Sequence, residues 1–116
     1  MNVRKLIQSF GYAFHGIFSS MKEQNMRIHI LSAFIVVTAG LLTGLSYSEW
    51  LIIIITISLV IGAEMINTAI ENVVDLATPD IHPLAKQAKD IAAGAVLVFA
   101  LTSVIIGLLI FLPKWF

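Results

Sequence analysis

Polar residues fall mostly between three long apolar runs, and ahead of the first run the pattern changes to a helical alternation. The runs extend from about Ile28 to Leu45, from Trp50 to about Val74, and from about Ala92 to Leu112. A helix needs about 20 apolar residues to cross a ~30 Å hydrocarbon core, so each run is near spanning length, the first being short. Upstream, Val3, Leu6, Ile7, Phe10, Phe14, Ile17, Phe18 and Met21 recur at helical spacing. Arg4, Lys5, Gln8, Ser9, His15 and Ser19 mostly occupy the other faces. This pattern predicts an amphipathic helix over residues 3–22, lying in the membrane interface rather than crossing it. So short a chain offers no soluble core for such a helix to pack on. The expected fold is a single all-α integral membrane domain, residues 1–116: an N-terminal surface helix followed by three transmembrane helices.

Composition agrees. Hydrophobic residues make up 59% of the 116 and charged residues only 12%, outside the range of an ordinary soluble domain. A formal net charge of zero provides no basic surplus for a nucleic-acid partner. The absence of cysteine removes disulfides and thiolate chemistry, leaving oxygen or imidazole ligands for any metal. The N-terminus lacks the short apolar core and small-residue cleavage site of a secretory signal, so the apolar segments are expected to persist in the mature chain.

Basic residues set the expected orientation. Arg4, Lys5, Lys22 and Arg27 precede the first span, and Lys86 and Lys89 lie between the second and third. The Ser46–Glu49 turn has none, and the C-terminal tail has only Lys114. The positive-inside rule therefore places the N-terminus and the second connection in the cytosol. That connection carries Thr78-Pro79-Asp80 and His82-Pro83, both turn signals. Gly40-Leu-Leu-Thr-Gly44 is a small-xxx-small pattern of the kind that lets helices approach, and is read as packing.

The second run ends in polar side chains at helical spacing. Glu64, Asn67, Glu71 and Asp75 fall within roughly an 80° arc of one helix face. With Trp50 at the outer interface, Glu64 lies ~21 Å below it, within the inner leaflet, and Glu71 lies ~32 Å below it, at the inner surface. A carboxylate at bilayer depth costs about 2–3 kcal/mol or more, which points to function for Glu64. Near the same surface stand Glu23, Asn25, Arg27 and His29. Carboxylates plus an amide oxygen suit a hard divalent cation such as Mg²⁺, which usually enters with substrate phosphates. Lys86 and Lys89 could offset the remaining phosphate charge. Plainer readings stand beside these. Asp75 could be a solvated helix end, Asn67 an interhelical hydrogen-bond partner, and Glu23–Arg27 a surface ion pair. His15, His29 and His82 have no zinc-ligand spacing and are read as structural. Neither a GxxxxGK[ST] loop nor a GxGxxG turn occurs, so any nucleotide site must be built on helices.

The run Glu64-x-x-Asn67-x-Ala69-Ile70-Glu71-x-x-x-Asp75, followed by Ala88-Lys89-Asp90, resembles the small prokaryotic diacylglycerol kinases. Gly11-Tyr12 and Glu23-x-x-x-Arg27 match the same family, and the His82-Pro83-Leu84-Ala85-Lys86 approach to Ala88 resembles its Gram-positive undecaprenol kinase branch. The resemblance implies a homotrimer with active sites shared between subunits, using ATP with Mg²⁺ in the bacterial cell membrane. It implies that Glu64 is the catalytic base and Asn67 a polar partner near the reacting phosphate. Glu23 and Glu71 are implied as metal ligands, and Tyr12, Glu23, Glu71, Asp80, Lys89 and Asp90 as nucleotide-binding residues. The family's diacylglycerol users carry a serine after the Gly-Tyr pair, where this chain has Ala13.

The expected activity is ATP- and Mg²⁺-dependent phosphorylation of a membrane lipid alcohol, most of all undecaprenol, with diacylglycerol as the rival substrate. A proton or ion carrier using Glu64 and Glu71 as a relay is the rival of another class. It is disfavoured because a relay needs polar groups through the outer half of the spans, which is almost wholly apolar.

Overall fold

Four helices make up the computed structural model, which describes residues 1–116: α1 (Val3–Ser20), α2 (Gln24–Thr43), α3 (Tyr47–Ala77) and α4 (Pro83–Trp115). Their ends follow from local chemistry. Asn2 caps α1 by accepting from the Lys5 amide at 3.2 Å. Ser46 and Glu49 form a reciprocal capping box at the start of α3, each side chain accepting from the other's backbone N–H. The His82 ring accepts from the Leu84 amide at 3.1 Å and Pro83 opens α4, where its missing N–H costs nothing. That capping supports the structural reading of His82.

The helices are longer than the apolar runs that nucleate them. α2 takes in Gln24–Arg27, α3 continues past Val74 to Ala77, and α4 starts at Pro83 and passes Leu112 to reach Trp115. Polar residues with adequate helix propensity extend each helix until a turn residue stops it. α2, α3 and α4 are long and apolar enough to cross a membrane. At 31 residues α3 is about 46 Å long, more than a ~30 Å core, so one end projects beyond the hydrocarbon.

α3 is the central element. It packs along α4 and against α2, and touches α1 only briefly. At the end of the bundle nearest the Gly44–Ser46 turn, Ile53, Ile110 and Phe111 form a small core flanked by Val36, Leu45, Trp50 and Ile57. Two polar contacts fasten the same end. Lys114 Nζ lies 3.0 Å from Glu49 Oε1, and the Trp115 indole donates to Thr43 Oγ1 at 2.9 Å. Elsewhere the chain turns apolar side chains outward, with only 11 of 116 residues buried. Such a surface is stable against lipid or a second protein surface and not against water. Along α1, Phe10, Phe14 and Phe18 are all exposed and only Ser20 is buried.

The two glycines of the small-xxx-small pattern have different jobs. Gly40 lies where α2 meets α3: a Cβ there would sit 2.8 Å from the Trp50 ring and 3.0 Å from Leu45. Gly44 is not a packing residue. Its φ of +83° turns the chain out of α2, and the space around it is open.

Gly40→Val is accordingly expected to destabilise the folded chain by about 1–3 kcal/mol, because the Trp50 ring must move. Thermal melting in detergent micelles measures this. In a Gly40→Val/Trp50→Ala double variant the loss should be less than the sum of the two single losses. Strict additivity would mean that the two residues do not meet.

Candidate active site

A buried carboxylate organises the middle of the bundle. Glu64 is 2% exposed and Asn67 5%, both on the face of α3 that carries Glu71. Helical spacing stacks Asn67 over Glu71, and the Asn67 amide donates to Glu71 Oε1 at 3.1 Å. That bond fixes which way the amide points. It leaves Asn67 Oδ1 buried without a partner, and Glu64 Oε2 is likewise unpartnered by any hydrogen bond. Buried polar atoms of this kind are uncommon and mark places where a ligand or reaction completes the bonding.

Across the helix boundary, His29 of α2 brings Nε2 to 3.6 Å from Glu64 Oε2. This is an electrostatic contact, too long for a good hydrogen bond. Glu64 also feels the charges of Glu71 and Glu23. The structure therefore brings Glu64, Asn67, Glu71, His29 and Glu23 to one locality. Glu23 ends up chemically free. It occupies the N-cap position of α2 without a side-chain capping bond, and none of the chain's ion pairs joins it to Arg27.

The basic residues of the α3–α4 connection are already engaged. Lys89 is ion-paired with Asp75, linking the end of α3 to the start of α4. Lys86 holds Asp90 at 2.5 Å across one helical turn. Asp75 thus has a definite partner and is more than a solvated helix end. Tyr12 and Asp80 stand exposed, and within the chain neither makes a side-chain hydrogen bond or ion pair to this cluster.

Glu23, Glu71 and the Asn67 oxygen are hard oxygen donors with unused acceptor capacity, which suits Mg²⁺. No three His, Asp or Glu side chains of the single chain come close enough to enclose an ion by themselves. A cation that arrives with phosphate oxygens and retains some waters fits such a sparse set, because Mg²⁺ dehydrates reluctantly.

The contact that periodicity overlooked is His29. It stands in sequence beside Glu23, Asn25 and Arg27, and the lack of zinc-ligand spacing gives it a structural reading. The sequence signal was a lone imidazole just inside an apolar run.

Comparison with known proteins adds a second line of support. The profile of the prokaryotic diacylglycerol kinase family matches residues 11–111. The undecaprenol kinase of Bacillus subtilis is 50% identical over 113 residues, covering 97% of this chain and 92% of that protein. The diacylglycerol kinase of Synechocystis is 42% identical over 93% of this chain, which spans 63% of that protein's length. The diacylglycerol kinase of Escherichia coli is 28% identical over 87% of this chain and 84% of its own. With the profile spanning both the α1–α2 elbow and the Glu64–Glu71 stripe, the chain belongs to the prokaryotic diacylglycerol kinase family.

Proposed function

We propose that this protein is a lipid kinase that moves the γ-phosphoryl group of ATP to the hydroxyl of undecaprenol in the bacterial cell membrane. The observation that carries the reading is Glu64: a buried carboxylate on a membrane-length helix, one oxygen unpartnered, on the same face as Asn67 and Glu71. The half-identical relative named undecaprenol kinase supports the choice of lipid. The N-terminus and the α3–α4 connection face the cytosol by the distribution of basic residues, α1 lies in the interface, and three copies complete the active sites.

In this reading Glu64 accepts the proton as the lipid oxygen attacks the γ-phosphorus. The P–O bond to the bridging oxygen breaks, and ADP leaves with the electron pair. Glu23 and Glu71 would hold Mg²⁺, which would supply charge neutralisation at the phosphate oxygens. Asn67 orients the reacting phosphate through an amide N–H. Lys89 and Asp90 exchange their present partners, Asp75 and Lys86, for the nucleotide, and Tyr12 and Asp80 complete its contacts. Little covalent chemistry is asked of the protein, because phosphoryl transfer depends mainly on positioning and charge.

Diacylglycerol is the second candidate lipid, favoured by the names of the Synechocystis and E. coli relatives. Ala13 stands against it, since a hydroxyl there could have met an ester group.

Glu64→Gln is expected to leave folding and membrane insertion intact and lower turnover by ~10²-fold or more. Near-normal turnover in a correctly assembled variant would remove Glu64 from the chemistry.

Glu23→Gln and Glu71→Gln should each raise the Mg²⁺ concentration needed for half-maximal rate, with added Mg²⁺ restoring part of the activity. An unaltered Mg²⁺ titration in both variants counts against the metal assignment.

In mixed micelles containing either lipid, kcat/KM should be higher for undecaprenol than for diacylglycerol. A clear preference for diacylglycerol would change the substrate and leave the kinase reading in place.

A further inference from the structure

Each turnover leaves Glu64 holding a proton that it cannot hand straight to water, since its side chain is only 3% exposed. The base is ready again only when a neighbour takes that proton on. Four groups face it: Asn67 and Glu71 from its own helix, Glu23 from the N-cap of α2, and His29 from further along α2. An amide such as Asn67 is not a proton acceptor at ordinary pH. Glu71 already accepts from the Asn67 amide. In the proposed chemistry it and Glu23 also face Mg²⁺, whose charge makes carboxylates poorer bases. Imidazole remains. Its ordinary pKa of about 6.5 lets it take up a proton and release it again near neutral pH.

Geometry selects the same group. His29 Nε2 lies 3.6 Å from Glu64 Oε2, the carboxylate oxygen that has no hydrogen-bond partner. Contacts of this kind are often long without substrate and tighten to hydrogen-bond reach, ~2.6–3.2 Å, only in the reacting complex. Among the three imidazoles only His82 makes a side-chain hydrogen bond, so both ring nitrogens of His29 are uncommitted. Nε2 is therefore free to be the accepting nitrogen, with the ring proton on Nδ1. The His29 side chain is 18% exposed against 3% for Glu64. It also lies only ~8 Å of helix from Gln24, where α2 begins among polar residues. The imidazole thus stands between an enclosed carboxylate and the polar end of α2.

We infer that His29 relays the proton of the lipid hydroxyl from Glu64 to water at the start of α2. The inference rests on the lipid-kinase reading and extends it to the step after transfer. In that step the O–H bond of protonated Glu64 breaks and an N–H bond forms at His29 Nε2. The products are a carboxylate and an imidazolium, each favoured by the opposite charge beside it. The imidazolium then gives a proton to water, and neutral His29 and ionised Glu64 are restored together. His29 acts through Glu64 and needs no contact with lipid or nucleotide.

The test measures kcat and KM for His29→Ala and His29→Gln in mixed micelles with undecaprenol and MgATP, with and without added imidazole or pyrazole. The two additives share a size and shape, but only imidazole is basic near neutral pH. Both variants are expected to lose ~10-fold or more in kcat, with KM for ATP and for lipid little changed. Imidazole should restore part of the rate to His29→Ala, and pyrazole should not. Unchanged kcat, a loss that falls on KM, parental turnover by His29→Gln, equal rescue by both additives or rescue by neither would each overturn the relay. If His29→Ala does not assemble, kcat and KM of His29→Gln decide alone. Turnover by the parent chain and its loss in Glu64→Gln test the kinase reading separately.

Discussion

Burying Glu64 constrains everything around it. A carboxylate at bilayer depth costs about 2–3 kcal/mol or more, and simulations of charges on isolated helices place it far higher. The chain meets this cost with local geometry. α2 presents His29 from the side and α3 places Asn67 on the same face, while Glu71 adds a like charge there. The polar residues that support Glu64 come from two helices, so the α2–α3 packing is part of the site. That packing depends in turn on a close approach at Gly40, eleven residues along α2 from His29. The polar contact and the apolar one thus stand toward opposite ends of the same helix.

The sequence was informative where the physics is local or periodic. Three apolar runs became three long helices, and Ser46–Glu49 read as a turn became a capping box. The acidic stripe was legible because four residues on one helix share a face whatever packs against them. Helix ends were less so, because apolar content marks where lipid lies and capping chemistry marks where the helix stops. Asp75 and Lys89 illustrate a second blind spot. Each belongs to a different motif, yet the turn at Thr78–His82 folds them together across helices. Likewise, His29–Glu64 and Trp115–Thr43 join residues from different helices, a relation that no period within one helix encodes.

Gly40 and Gly44 sharpen the point. A pattern of two small residues four apart suggested one packing surface, but the backbone separates them. Gly40 lies in the helix and admits Trp50, while Gly44 adopts a positive φ that ends the helix. Spacing alone treats both as absent side chains. Only the conformation distinguishes a glycine that makes room from one that makes a turn.

Lys114–Glu49 and Trp115–Thr43 have a mechanical consequence. Both cross-links sit at the Gly44–Ser46 end, the first joining α4 to α3 and the second joining α4 to α2. α2, hydrogen-bonded to α4 only at this end, behaves like one arm of a pair of tongs. A displacement of α2 against α4 is smallest at the pinned end and grows along the arms toward His29. α3 and α4 keep their register, because Lys89–Asp75 ties them at one end and Lys114–Glu49 at the other.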